Sequence, residues 1–186
     1  IEKRHITTAK ELIPVSKQSK VLSTIKSELN NLETLLEGAF LVGEITPKLS
    51  DKIVSYGELL SSYIIAEYFA SEGLSCGHKD SRDLLKTDTN FGNASILNFD
   101  ETNVLCNNFF TSTINKITVL GGFISSAPNG DSTTLGRGGS DYTAAIYASA
   151  VNSSILEIWT DVSGMYTANP KIVKQAEAIP LISYEE

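Results

Sequence analysis

Chemistry is densest between Thr133 and Asp141, where the chain reads Thr-Thr-Leu-Gly-Arg-Gly-Gly-Ser-Asp. The glycines at 136, 138 and 139 let backbone N–H groups approach an anion unobstructed, and a helix starting near Ser140 would add the favourable end of its dipole. Arg137 can grip a carboxylate or phosphate through two parallel hydrogen bonds. The segment has no Gly-Lys-Ser/Thr, so it is not a Walker A loop. Asp141 stands where a dinucleotide fingerprint would have its last glycine. An ordinary tight turn between a strand and a helix would use the same glycines.

Two further groups stand apart from this loop. Thr160-Asp161 is followed by Val-Ser-Gly-Met and Tyr166. An aspartate at the end of a strand, then a glycine turn and a tyrosine, can hold a ribose or a base. It can equally be an Asx-turn that only shapes the loop. Glu58 follows Gly57 inside a helical stretch, where glycine costs about 1 kcal/mol relative to alanine and so suggests close approach by another group. Glu58 also fits a solvated residue on a surface helix. An anionic acceptor on the Gly-rich loop and a nucleotide at 160–166 would together suit phosphoryl transfer. A net charge of −7 repels both ligands, so Arg137, lysines, helix ends and Mg²⁺ must offset it locally.

The elements that must position these residues follow from periodicity. Residues 1–50 read mainly as helix, with Leu22, Ile25, Leu29, Leu32 and Leu36 forming one stripe across Ser19–Phe40. Gly43 to Pro47 breaks it, and a second helix runs from Ser50 or Asp51 to Ser71, stopped by Gly73. Leu74–Gly77 is a short strand candidate, Asp80–Asp88 a loop or helical turn, and Asn103–Thr113 a helix candidate. Lys116–Phe123 is rich in β-branched residues and predicts a strand. A loop of about fifteen residues follows, long enough to suggest function. Ser140–Val151 predicts a helix and Ile155–Thr160 a second buried-type strand. Strand, helix and strand would form a parallel, right-handed βαβ unit with both strand ends on one ligand-binding edge.

Composition sets the bounds. With 41% hydrophobic and 20% charged residues, the chain is an ordinary globular one. The acidic balance argues against nucleic-acid and anionic-membrane partners, and no apolar run is long enough to span a bilayer. Cys76 and Cys106 are too few for a disulfide framework and lack zinc spacing, which points to a reducing, cytoplasmic setting. The only methionine is Met165, and Ser183-Tyr184-Glu185-Glu186 reads as the first turn of a helix, so the sequence is expected to be an excerpt of a longer protein.

Together, Thr133–Ala144 (TTLGRGGSDYTA), Glu157–Asp161 (EIWTD) and Gly164–Pro170 (GMYTANP) resemble aspartokinase, with Ser55–Glu58 (SYGE) and Gly122-Phe123-Ile124 at the expected places. The form of the stretch leading into SYGE is most similar to the kinase part of bifunctional aspartokinase–homoserine dehydrogenases. The resemblance implies an α/β fold, a three-layer α/β/α sandwich with a mostly parallel sheet. It implies transfer of the γ-phosphoryl of ATP to the side-chain carboxylate of L-aspartate, at the entry to lysine, threonine and methionine synthesis, in a homo-oligomeric parent protein. Glu58, Phe123, Arg137, Gly139 and Ser140 would form the aspartate site, with Arg137 on the α-carboxylate and Glu58 on the ammonium. Thr160, Asp161 and Tyr166 would hold the nucleotide, with Lys171 near the phosphates. Asp141 would organise catalytic cations. Mg²⁺ would ride mainly on phosphate oxygens, with no dedicated protein metal site.

Two departures from that pattern matter. Asn169-Pro170-Lys171 replaces the family's Asp-Pro-Arg, keeping the charge but losing the guanidinium fork. The family's opening Lys-Phe-Gly-Gly-Thr-Ser strand and its C-terminal regulatory domains have no counterpart in these residues. Residues 1–186 are therefore expected to be a partial catalytic domain with little kinase activity alone, 1–50 helical and 51–186 carrying both substrate sites. The competing readings are a nucleotide- or amino-acid-binding fragment without turnover, and another amino-acid kinase such as a glutamate kinase. A nicotinamide-dependent oxidoreductase lacks its fingerprint here.

Overall fold

The computed structural model describes residues 1–183, and of the expected helical turn at the C-terminus, Tyr184–Glu186 lie outside them. The chain forms two compact units, residues 1–155 and 156–186.

The first unit opens with three helices, α1 (Glu2–Leu12), α2 (Val15–Val42) and α3 (Pro47–Ser71). Helix α2 buries Val21, Ile25, Leu29 and Leu32, the expected stripe shifted slightly, while Leu36 stays 41% exposed. Gly43 ends it in the left-handed conformation, φ 72°, with its N–H donating to Ala39. Helix α3 begins earlier than the sequence suggested. Thr46 caps it, its hydroxyl accepting from the Leu49 N–H at 3.2 Å, and Pro47 is its first residue. Proline there starts the helix rather than breaking it, because the missing N–H would have no intrahelical partner. The three helices share a core of Ala9, Ile13, Val21, Ile25, Leu29, Leu60 and Ile64.

Strands β1 (Cys76–Lys79) and β2 (Ile117–Leu120) pair in parallel, Cys76 opposite Ile117 and Lys79 opposite Leu120. The crossover between them contains α4 (Phe99–Ser112), capped by the Asn98 side chain, which accepts from the Asp100 and Glu101 N–H groups at 2.9 and 3.2 Å. Alternation along β1 shows the layering. His78 faces α3, its Nε2 2.9 Å from Ser62 Oγ, while the next residue, Lys79, lies over the Phe109 ring of α4. Helices therefore cover both faces of the parallel pair, giving the α/β/α arrangement. The α4 side is filled by Leu84, Cys106 and Ala150, with Phe109, Phe110 and Leu120 against them.

The expected long loop after β2 is partly structured. It holds an antiparallel hairpin, β3 (Ile124–Ser126) and β4 (Ser132–Thr134), before α5 (Gly139–Ala150). Both strands of the hairpin are buried while its turn at 128–130 is exposed, and residues 85–87 lie beside β3, the Thr87 N–H donating to Ser126 and the Ser126 N–H to Leu85.

One expectation fails. Residues 155–160 form no strand in the structure. Ile155, Leu156, Ile158 and Trp159 are all exposed, Trp159 at 89%. A strand exists only through the partner that completes its ladder, and among the described residues this apolar run has none. The βαβ unit is consequently β1–α4–β2, not the expected pair of strands flanking α5.

Candidate functional site

One wall of the candidate site is organised by two consecutive glycines where β2 ends. Gly121 lies against α3: a Cβ placed on it would stand 3.3 Å from both Cβ and O of Glu58. Gly122 lies against the start of α5, where a Cβ would stand 2.9 Å from the Ser140 Cα. The pair lets Glu58 and Ser140 approach the same sheet end from two helices. Gly139 completes the contact, since a Cβ there would meet Phe123 Cδ2 and Leu135 Cβ at 3.0 Å. Glu58, Phe123, Gly139 and Ser140, named from sequence, are thus brought together.

Phe123 sits at φ 69°, a conformation rare for a residue with a side chain. Neighbours hold it there. Its N–H donates to the Thr143 hydroxyl at 3.1 Å, and its carbonyl accepts from the Leu135 N–H at 2.9 Å. Thr143 in turn donates to the Gly139 carbonyl at 2.7 Å. Gly138, φ 77°, caps α5, and Asp141 lies in the first helical turn, exposed to solvent. Arg137 is exposed and has no ion pair among the described residues. Glu58 is half-buried and its carboxylate likewise lacks a partner. Burial pushes its pKa above the ordinary glutamate value. The wall thus presents a free cation on the loop and an uncompensated carboxylate on α3.

Sequence reading missed what holds this loop. Asp51 is 3% exposed, and its carboxylate accepts three hydrogen bonds: from Gly92 N–H at 2.8 Å, Thr134 N–H at 2.9 Å and Thr134 Oγ1 at 2.9 Å. The segment 88–95 also packs beside the Gly-rich loop, with Asn93 Oδ1 2.6 Å from where a Gly136 Cβ would be. One signal was available for Asp51. It precedes Glu58 by seven residues, two helical turns, and so shares its face of α3.

In the second unit, Glu157–Ser163 line an open trough of about 570 Å³ that includes Thr160 and Asp161. Thr160 Oγ1 donates to Asp161 Oδ1 at 3.2 Å. Tyr166 pairs antiparallel with Ala178, fixed by bonds from Thr167 N–H to Glu177 and from Ile179 N–H to Met165. Lys171 is exposed, its backbone N–H donating to Asn169 Oδ1 at 3.0 Å. Among the described residues no cluster of three carboxylate, imidazole or thiol groups could hold a metal ion.

Residues 2–186 match the amino acid kinase family. The chain is 36% identical over 183 residues to the chloroplastic bifunctional aspartokinase/homoserine dehydrogenase 1 of Arabidopsis thaliana, covering 98% of this chain and 20% of that protein. It is 37% identical over 164 residues to lysine-sensitive aspartokinase 3 of Escherichia coli, covering 87% of this chain and 36% of that one. The structure superposes with a TM-score of 0.82 and 34% identity on E. coli aspartokinase III solved with aspartate and ADP, covering 92% of this chain and 37% of that one. The chain belongs to the amino acid kinase family and has its fold. It spans about a fifth of its plant relatives and little over a third of the bacterial one.

Proposed function

We propose that the whole protein transfers the γ-phosphoryl group of ATP to the side-chain carboxylate of L-aspartate, giving 4-phospho-L-aspartate and ADP. The observation that carries this is the convergence of Glu58, Phe123, Gly139 and Ser140 on the Gly121-Gly122 end of β2, beside the Arg137 loop. A structural relative holding aspartate and ADP supports it.

The chemistry suits the wall. Aspartate's side chain, with a reference pKa of about 3.9, is already ionised at neutral pH, so its attack needs no general base. A carboxylate oxygen forms the new bond to phosphorus while the bond to the β–γ bridging oxygen breaks, and ADP leaves with that electron pair. Catalysis is then positioning and charge stabilisation. Arg137 receives the α-carboxylate, Glu58 the ammonium, Gly139 lets the loop close on Phe123 without a side chain, and the Ser140 N–H at the α5 terminus faces developing negative charge. Asp141 orients catalytic cations. Thr160, Asp161 and Tyr166 hold the nucleoside and Lys171 lies near the phosphates. Mg²⁺ arriving with ATP would supply charge neutralisation of the phosphates, with no dedicated ligand set among the described residues of this chain.

This reaction places the protein at the entry to lysine, threonine and methionine synthesis, in a homo-oligomer. The free thiols Cys76 and Cys106 support a reducing compartment. The chloroplast named for plant relatives widens that setting beyond the cytoplasm. The test is ADP release by the full-length protein with L-aspartate, with the acyl phosphate trapped by hydroxylamine. A trapped product with aspartate and none with glutamate is expected. Turnover with glutamate alone would replace the substrate assignment.

A further inference from the structure

We propose that Asp51 is a positioning residue that fixes the spacing of the two subsites for the α-carboxylate and ammonium groups of the amino-acid acceptor, by tying the Arg137 loop to the helix that carries Glu58. The inference rests on the reading of the acceptor site given above.

The geometry begins with α3. Asp51 and Glu58 are seven residues apart on one helix, a rise of about 10 Å along its axis. Glu58 lies against Gly121 at the end of β2, and Asp51 reaches β4. A buried carboxylate is costly unless its lone pairs are used. Asp51 uses them on two separate pieces of chain: Thr134, three residues before Arg137, and Gly92, whose carbonyl packs 3.2 Å from a Cβ position on Gly136. No cation pairs with Asp51 among the described residues, so its binding partners are these loops alone.

Arg137 has no fastening of its own. Its backbone follows Thr134, held by Asp51, and Leu135, held by Phe123, and precedes Gly139, whose N–H donates to Gly136 at 3.1 Å. The guanidinium is therefore placed by its anchors. One anchor sits on the same rigid helix as the group that would receive the substrate ammonium. Helix α3 acts as a ruler between the ammonium and α-carboxylate subsites. The ruler holds the α-amino and α-carboxylate groups, which every α-amino acid carries on one carbon, in a single orientation when Arg137 and Glu58 both engage, and so aims the side-chain carboxylate.

The experiment uses the full-length protein with Asp51→Ala, Asp51→Asn and Thr134→Val, read by steady-state kinetics in both substrates and by hydrogen exchange over 88–95 and 134–139. Asp51→Ala is expected to lower kcat/KM for aspartate about a hundredfold, mainly through KM, with KM for ATP within about twofold. Asp51→Asn can still accept both backbone N–H bonds through its amide oxygen and donate to Thr134 Oγ1, so it is expected to recover activity to within about fivefold of the parent. Thr134→Val removes one bond and should shift KM for aspartate in the same direction by less. Faster exchange at 134–139 should accompany Asp51→Ala and not Asp51→Asn.

Equal losses in both substrates, an Asn variant as poor as the Ala variant, or unchanged exchange at 134–139 would each overturn the proposal. If the parent protein does not phosphorylate aspartate at all, the functional reading fails instead. The exchange data and calorimetric binding of aspartate to the same three variants then decide whether Asp51 positions the loop for a ligand.

Discussion

Between Gly121 and Thr143 the proposed acceptor wall is tied to other parts of the fold: Gly121 to α3, Phe123 to α5 and to Leu135, Thr134 to Asp51. Between Glu157 and Lys171 the bonds are turns of a few residues, together with the pairing of residues 165–167 with 177–179 in the same unit. Trp159 Nε1 donates to Glu157 two residues back, Thr160 to its neighbour Asp161, and Lys171 N–H to Asn169. Both stretches would serve the same reaction, yet one takes its shape from distant neighbours and the other from its own turns. A loop shaped by distant anchors passes packing errors on to ligand affinity and to stability together. A loop shaped by local turns should alter ligand affinity with little cost to the fold.

The largest effect tests the side chain that stands free on the anchored wall. Arg137→Ala should lower kcat/KM for aspartate by about 10²–10³-fold, because a bidentate charge-assisted contact is lost from a positioned substrate. The thermal midpoint should not move, since Arg137 is exposed and has no ion pair among the described residues. A matching rise in KM for ATP would break the separation of the two regions.

Paired glycine substitutions come next. Gly122→Ala puts a methyl 2.9 Å from backbone Cα of Ser140, so β2 or α5 must move. A loss of about 1–3 kcal/mol in denaturant unfolding is expected, with a raised KM for aspartate. Gly164→Ala meets open space and carries only the strain of φ 115°. It should cost roughly 1 kcal/mol or less of global stability, because only a locally held turn is disturbed. Equal losses at both positions would show that the second stretch is anchored as firmly as the first. Asp161→Ala should then weaken Mg·ATP binding by about tenfold in a calorimetric titration and leave KM for aspartate unchanged.

The same contrast explains what could be read from sequence. The α2 stripe, the β2 run and the glycines of 136–139 act through local period and local conformation, and these are visible in the order of residues. Glu58, Phe123 and Gly139 were found through resemblance, but their meeting depends on Gly121 and Gly122 bringing two helices to one sheet end, a long-range fact. Asp51 looked like a helix N-terminal residue, and nothing nearby in sequence marks Thr134 and Gly92 as its partners. The run at 155–160 misled for the opposite reason. Its Ile-Leu-Glu-Ile-Trp pattern suits a buried strand, but a strand also needs a neighbour, and β-branched composition does not supply one.

The smallest effect concerns Glu58, where burial has raised the pKa of a carboxylate that is to receive an ammonium group. Two consequences follow with opposite signs. In the folded protein Glu58 holds its proton to higher pH than in the unfolded chain. Between the ordinary value and the raised one the native state binds more protons, so stability falls as pH rises through that window. Aspartate binding needs the ionised form, so affinity rises through the same window. Part of that rise belongs to the substrate, whose own carboxylate ionises near pH 4. Glu58→Gln separates the contributions: it keeps the shape, removes the titration, and leaves the substrate's own limb. The expected result is a change of about threefold in aspartate KM across the window in the parent protein beyond the substrate's own limb, which alone remains in Glu58→Gln, while KM for ATP follows one pH curve in both proteins. If the variant kept the same aspartate profile, Glu58 would be a half-buried glutamate on α3 with no ammonium to receive. The acceptor wall would then retain only its anion-binding half.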